Sequence, residues 1–219
     1  MRYFLAIMLL LLTLYGCRQA PKKEVENPVE KEKVNVMELE ANKMKVELQE
    51  IWRLTQKNNM ILTDSIEANF GAGSQEAFAF WKKLKQIDSL NFLKVENIIA
   101  QNGWPKISVV GREAAAITQQ IILKQGAKGM EKYLPLLKDA YMQKEADGLW
   151  VAEWEDKILM ENKLPQLYGT QEECEFLANG ERICKPYKID DIEQLDERRR
   201  NLGLESFAEF ADAKGWKYN

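Results

Sequence analysis

Apolar side chains recur at three- and four-residue spacing along most of this chain, the pattern of amphipathic helices. Met37, Met44, Leu48 and Ile51 share one stripe with Trp52 beside it, which predicts a long helix from about Val34 to Asn58 whose charged first turns fray. Gly71-Ala72-Gly73-Ser74 breaks the pattern, and Ser74 is placed to cap a helix carrying Phe78, Trp81 and Leu84. A further helix is expected through Leu90, Leu93, Val95, Ile98 and Ile99, stopping at Asn102-Gly103. Pro105 keeps the preceding Trp104 out of helical geometry, so Trp104 reads as a loop aromatic pinned into the core. Helices follow from Arg112 to Lys124, Lys128 to Lys144 and Leu149 to Asn162. Pro135 either kinks the second of these or marks its real start. Beyond Thr170 the pattern changes to a hairpin around Asn179-Gly180. Two short helices come after it, Asp191 to Asn201 and Ser206 to Lys214, the first capped by Asp190 or Asp191. No fixed-period repeat is present. The fold class that follows is mainly α: a single domain of antiparallel helices with one small β-hairpin near the C-terminus.

The start of the chain departs from that pattern. Arg2 precedes an apolar run from Tyr3 to Tyr15 that ends at Gly16-Cys17. The run is shorter than the roughly 20 residues a membrane span needs, and its basic start reads as a secretory signal over residues 1–16. Leu14-Tyr15-Gly16-Cys17 resembles the lipobox of bacterial lipoproteins, which implies cleavage before Cys17 and acylation of its thiol with palmitate-like chains. Two or three such chains, at about 0.8 kcal/mol per buried methylene, make a lasting anchor. The plainer alternative is an ordinary signal with an incidental cysteine. Residues 17–33, rich in Lys, Glu and Pro, bury too little to fold and read as a flexible tether. Residues 34–219 then form the domain. The expected location is a lipid-anchored place in a Gram-negative-type envelope. Because Arg18 follows Cys17 where inner-membrane retention often uses aspartate, the outer membrane is slightly favoured, on a side left open.

Composition narrows the chemistry. With 30% charged and 46% hydrophobic residues the body is globular. Without the first 16 residues the net charge is −4 and no basic patch stands out, so no nucleic-acid partner is expected. Histidine is absent, which removes the commonest general base and transition-metal ligand. No catalytic constellation, metal site or cofactor is expected. Cys174 and Cys184 flank Ala178-Asn179-Gly180. A three-residue loop with Gly180 left-handed sets them opposite one another and permits a disulfide; a two-residue Asn-Gly turn leaves them diagonal. Two free buried thiols are the alternative.

Asp156 is the most informative polar residue. Its helical stripe holds Leu149, Ala152 and Leu159, so its carboxylate points to the apolar side and needs a partner. One answer is a bidentate pair with Arg198 or Arg199 that locks the C-terminal segment to the core. The other is a pocket in which Gln166, Tyr168 and Gln171 supply hydrogen bonds and Asp156 is tuned for acid-base work. Tyr168-Gly169-Thr170-Gln171 is either a ligand-contacting loop or the turn from helix to hairpin. Trp150 and Trp154, at helical spacing beside Ile158, read as core rather than as a recognition surface with Trp104. Glu153 and Glu155-Asp156 lack the alternating ligand loop of a calcium site and read as solvated helix charge.

With these residues laid out, the chain resembles an uncharacterised bacterial family catalogued as a domain of unknown function. The resemblance rests on Gly103-Trp104-Pro105 and on Ser108-x-Val110-Gly111 before an alanine-rich helix. It continues through Leu134-Pro135-Leu136-Leu137, Tyr168-Gly169-Thr170-Gln171 and Asp196-Glu197-Arg198-Arg199-x-x-Leu202-Gly203-Leu204. The family implies no known activity. This chain departs from it with Gln125 in place of a histidine, Thr55-Gln56 in place of Asp-Gln, and Asp156-Lys157 in place of Asp-Arg. The expected function is a membrane-anchored binding or assembly module for an envelope protein, glycan or small ligand. The alternative is a carboxylate-dependent hydrolase of an envelope polymer with Asp156 as acid or base.

Overall fold

The structure, a computed structural model, describes residues 28–71, 73–177 and 182–216. The expected signal, Cys17, most of the tether and the turn at Ala178-Asn179-Gly180 lie outside those residues. Contacts divide the chain into a unit of residues 1–37 and one of residues 38–219. Of the first, the described part is helix from Pro28 onward, within the segment read as tether.

In the second unit the pattern of apolar spacing becomes a mainly helical body. Helix α1 (Pro28–Phe70) is longer than its expected range, and burial on its stripe begins only at Met44; Leu48 and Ile51 are sealed while Met37 is exposed. The two helices expected between Ser74 and Gly103 are one, α2 (Gln75–Asn102), because no residue between Leu84 and Leu90 is a helix breaker. Ser74 caps it by accepting from the Ala77 N–H at 3.1 Å, and Gly103, at φ 74°, ends it. Between these two helices Asn91 Nδ2 donates to Thr55 Oγ1 at 2.9 Å, a buried polar contact that fixes their register.

A one-turn helix, α3 (Ile107–Val110), follows Pro105, and the Glu145 carboxylate holds it by accepting from the Ser108 N–H and hydroxyl. Sequence patterning missed it because four residues are too few to show a period. Then come α4 (Arg112–Leu123), α5 (Gly126–Met142) and α6 (Gly148–Glu161). Helix α5 runs through Pro135 instead of starting there. Apolar faces of α1, α2, α4, α5 and α6 enclose one core, which also takes Trp104, Trp150 and Trp154; the rings of Trp104 and Trp154 meet edge-on at 5.8 Å.

The C-terminal part is built differently. Strands β1 (Glu172–Phe176) and β2 (Arg182–Pro186) pair antiparallel with Cys174 opposite Cys184, the register of the three-residue-loop expectation, and the two sulfurs are joined. A 3-10 turn (Ile192–Gln194) leads into α7 (Leu195–Asn201), and α8 (Phe207–Lys214) opens with a capping box of Ser206 and Glu209. Neither Asp190 nor Asp191 caps the turn as expected: Asp191 sits at φ 37° and its side chain makes no cap bond. Leu195, Phe207, Phe210, Ala211 and Trp216 form a second, smaller cluster against which Cys184 and Ile189 pack. Among the described residues no helix is long and apolar enough to cross a membrane.

Candidate functional site

Helix α6 sets Asp156 on its buried face, and the chain leaving α6 folds back over it. Lys163, at φ 62°, ends the helix, and Pro165 starts an irregular segment that runs to Gln171. Asp156 Oδ1 accepts from the N–H groups of Leu167 at 2.7 Å and Tyr168 at 2.9 Å. Its Oδ2 accepts from the Thr170 N–H at 2.9 Å and the Thr170 hydroxyl at 2.8 Å. The carboxylate therefore has four donors, all from one turn of chain, and no arginine among them. This corrects the expected bidentate pair. Arg198 and Arg199 grip the same segment from its carbonyl side: Arg198 Nε donates to the Leu167 carbonyl at 2.7 Å and Arg199 Nη1 to the Tyr168 carbonyl at 2.6 Å. Peptide dipoles point N–H toward the negative group and C=O toward the positive ones, so each charge meets the matching end.

The remaining polar residues complete this clamp. Gln166 is fully buried; its carboxamide donates to the carbonyls of Gln171 and Tyr187 and accepts from the Gln171 N–H, tying the turn to the segment after β2. Gln171 Nε2 donates to the Glu153 carbonyl and the Thr170 hydroxyl. Gly169 needs to be glycine twice over: its φ is +71°, and a Cβ there would lie 2.6 Å from the Phe207 ring. The expected pocket donors Gln166 and Gln171 thus bind the protein's own backbone and, for Gln171, the Thr170 hydroxyl as well. Arg199, fully buried, also donates from Nε to the Glu205 carbonyl, lies 3.6 Å from the Glu205 carboxylate and stacks on Phe210.

Electrostatics follow burial. Desolvation pushes the Asp156 carboxyl above its ordinary range, and the donors of Thr170, Tyr168 and Leu167 pull it part of the way back. Burial also raises Glu153, against the pull of Lys214 and a hydrogen bond from Gln119 Nε2 at 2.9 Å. The Tyr168 hydroxyl is driven well above the usual tyrosine range, first by burial and then by the Glu155 carboxylate. Burial lowers Arg199, which the carboxylates of Glu205, Asp196 and Asp156 counter. Glu153, Glu155 and Asp156, read earlier as solvated charge or a cation site, are partnered separately: Gln119 holds the first, Lys138 the second and the turn the third.

Among the described residues, one group has three metal-type donors within reach of each other: Glu172, Cys174 and Cys184. Its sulfurs are bonded together, and the Glu172 carboxylate is already held by Arg182 and by the Trp216 indole N–H. It does not fit a metal in this state.

An open concavity lies elsewhere, between α1 and α4. A groove of about 430 Å³ is walled by Gln49 and Trp52 from α1 and by Glu113, Ala116, Ile117 and Gln120 from α4. The small side chains of α4 leave the room, and the half-buried Trp52 forms one wall. Sequence patterning had Trp52 beside its stripe and the alanine-rich helix, but not their juxtaposition. The model of a family of unknown function, DUF6624, matches residues 46–218. The chain belongs to this family. Its matched region holds the groove, the Asp156 clamp and the hairpin alike. No curated protein and no solved structure matches the chain significantly.

Proposed function

We propose that this member of the family is a binding or assembly module, tethered to an envelope membrane through acylated Cys17, that takes an envelope component into the groove between α1 and α4. The groove carries this reading. Its size suits a small ligand or one segment of a polymer, its walls are largely apolar, and two carboxamides and one carboxylate, Gln49, Gln120 and Glu113, converge on it. The bonding of Asp156 supports binding over hydrolysis: both of its oxygens are engaged by donors of the adjoining turn, so a proton-transfer role would first require that turn to open.

Sedimentation of the full chain with purified peptidoglycan sacculi, in mild detergent, tests the reading directly. The wild type is expected to pellet with the polymer and release no soluble fragments. Ala116→Trp, which fills the groove, is expected to stay in the supernatant with its helical circular dichroism unchanged. Fragment release abolished by Asp156→Asn in a folded variant would replace this reading with the hydrolytic one. Pelleting indifferent to Ala116→Trp would remove the groove from it.

A further inference from the structure

The hairpin disulfide is electrically lopsided. Cys174 and Cys184 sit directly opposite, both half-buried, and Arg182 is two residues before Cys184 on the same strand face. Arg182 Nη2 donates to Cys174 Sγ at 2.9 Å. The same nitrogen lies 3.0 Å from Glu172 Oε1, and Glu172 Oε2 accepts from the Trp216 indole N–H at 2.6 Å. An ion pair with Glu172 alone would account for a guanidinium near the carboxylate. Glu172 Oε1 also lies 3.5 Å from Cys174 Sγ, so that sulfur faces both members of the ion pair, and the guanidinium nitrogen is the nearer of the two. Among the described residues no cation is placed on Cys184, which packs instead against the apolar cluster of Leu195, Phe207, Phe210 and Trp216. Thiolates are stabilised beside a fixed positive charge and opposed by apolar surroundings. The two sulfurs therefore differ in their ability to carry away an electron pair.

We propose that Cys174–Cys184 is a thiol–disulfide exchange site for low-molecular-weight thiols, with Cys174 as the thiolate held by Arg182 and Cys184 as the sulfur that carries the mixed disulfide. An incoming thiolate bonds to Cys184 Sγ; the S–S bond breaks, and its electron pair leaves on Cys174 Sγ beside the guanidinium. A second thiolate then attacks the sulfur of the first thiol, and Cys184 leaves as a thiolate. The thiol pair is oxidised to its disulfide, the protein disulfide is reduced to two thiols, and the two protons of the reagent thiols end on the protein sulfurs or in solvent. In reverse, Cys174 is the nucleophile that closes the protein disulfide and expels the small thiol. Glu172 links the exchange to the C-terminal cluster, since it contacts both Arg182 and Trp216.

The test treats the full chain, disulfide intact and in mild detergent, with reduced glutathione, quenches it with acid and maps the adduct by peptide mass spectrometry. The adduct is expected on Cys184. Arg182→Gln is expected to slow its formation about tenfold, and Arg182→Lys to restore most of the rate. Glu172→Gln keeps an acceptor for Trp216 but frees the guanidinium from its competing carboxylate, so it is expected to speed the exchange. In the fully reduced chain, alkylation of Cys174 by iodoacetamide is expected to titrate below the ordinary thiol value of about 8.5 and to move back toward it in Arg182→Gln. Adducts spread equally over both cysteines, or rates and titration indifferent to Arg182 and Glu172, would reduce the bond to a plain staple and overturn the proposal.

Discussion

The helical body and the C-terminal layer solve the same problem by different means. In the body, five helices bury long apolar stripes; among the described residues, the indole N–H groups of Trp104 and Trp154 and the Thr118 hydroxyl are buried there without a hydrogen-bond partner, against Arg199 Nη2 in the layer. In the layer, helices are seven or eight residues long and the apolar cluster has five buried members. Short elements bury little, so order there comes from directional bonds: the Asp156 clamp, the Gln166 stitch, the two arginines and the disulfide. Non-directional burial is robust to a missing bond, whereas a polar clamp is only as good as its completeness.

The largest break should come from Asp156→Ala. It strands three buried or half-buried N–H groups and a hydroxyl beside two arginines, and it is expected to cost about 4 kcal/mol in denaturant unfolding. Asp156→Asn should cost about half as much, since one acceptor remains. A loss under about 1 kcal/mol for the alanine variant would show the clamp to be ornamental and the layer to rest on its apolar cluster. In the body, Leu48→Ala is expected to cost about 3 kcal/mol as a core truncation, with the loss spread through a single cooperative transition. A separate early transition in the Asp156 variant alone would sharpen the contrast between the two regions.

Acid should act with opposite sign on one carboxylate from each region. Glu96, on α2, is held below its ordinary range by Lys132 and Tyr133, so the stability it adds is present above about pH 4.5 and is lost as pH falls through its lowered folded value. Asp156 is raised by burial, so its contribution is fully present below its unfolded value of about 3.8 and is lost as pH rises through its raised folded value. The stability gap between wild type and Glu96→Gln is expected to shrink on acidification toward pH 4, and the gap between wild type and Asp156→Asn to grow. Parallel gaps would mean that desolvation does not govern Asp156.

The smallest effect concerns the junction between the regions. Lys163 holds a left-handed conformation at the end of α6, where its N–H bonds the Met160 carbonyl and the Leu164 N–H bonds the Leu159 carbonyl. Lys163→Gly is expected to raise stability by about 0.5 kcal/mol, because the strain relieved exceeds the added chain entropy. A loss would show that the Lys163 side chain contributes something beyond its backbone position.

Much of the body was legible in the sequence because a helical stripe is a local property. Ser74, Asn102-Gly103 and the spacing of Leu48, Ile51, Val95 and Ile98 mark elements within a few residues of where they lie. The merging of two expected helices into α2 shows the limit of such marks: a gap in apolar spacing is not a break unless a residue there opposes helix. The candidate site was legible as a set of residues and not as an arrangement. Asp156, Gln166, Tyr168, Gln171, Arg198 and Arg199 do converge, yet the arginines address carbonyls instead of the Asp156 carboxylate, and the glutamines address neighbouring groups of the protein, mostly backbone, instead of a ligand. Opposite charge suggests pairing; a peptide segment lying between the charges can satisfy both.

By itself, the sequence determined the helical class and the need of Asp156 for a partner, and it narrowed the hairpin to two registers, of which the structure takes the one that sets Cys174 against Cys184. Only the tertiary structure decided which partner that was, that Trp52 faces the small side chains of α4 across a groove, and that Arg182 leans on one sulfur and not the other. These are contacts between residues 8 to 64 positions apart, or between groups whose direction depends on how whole helices pack, and no local pattern encodes them.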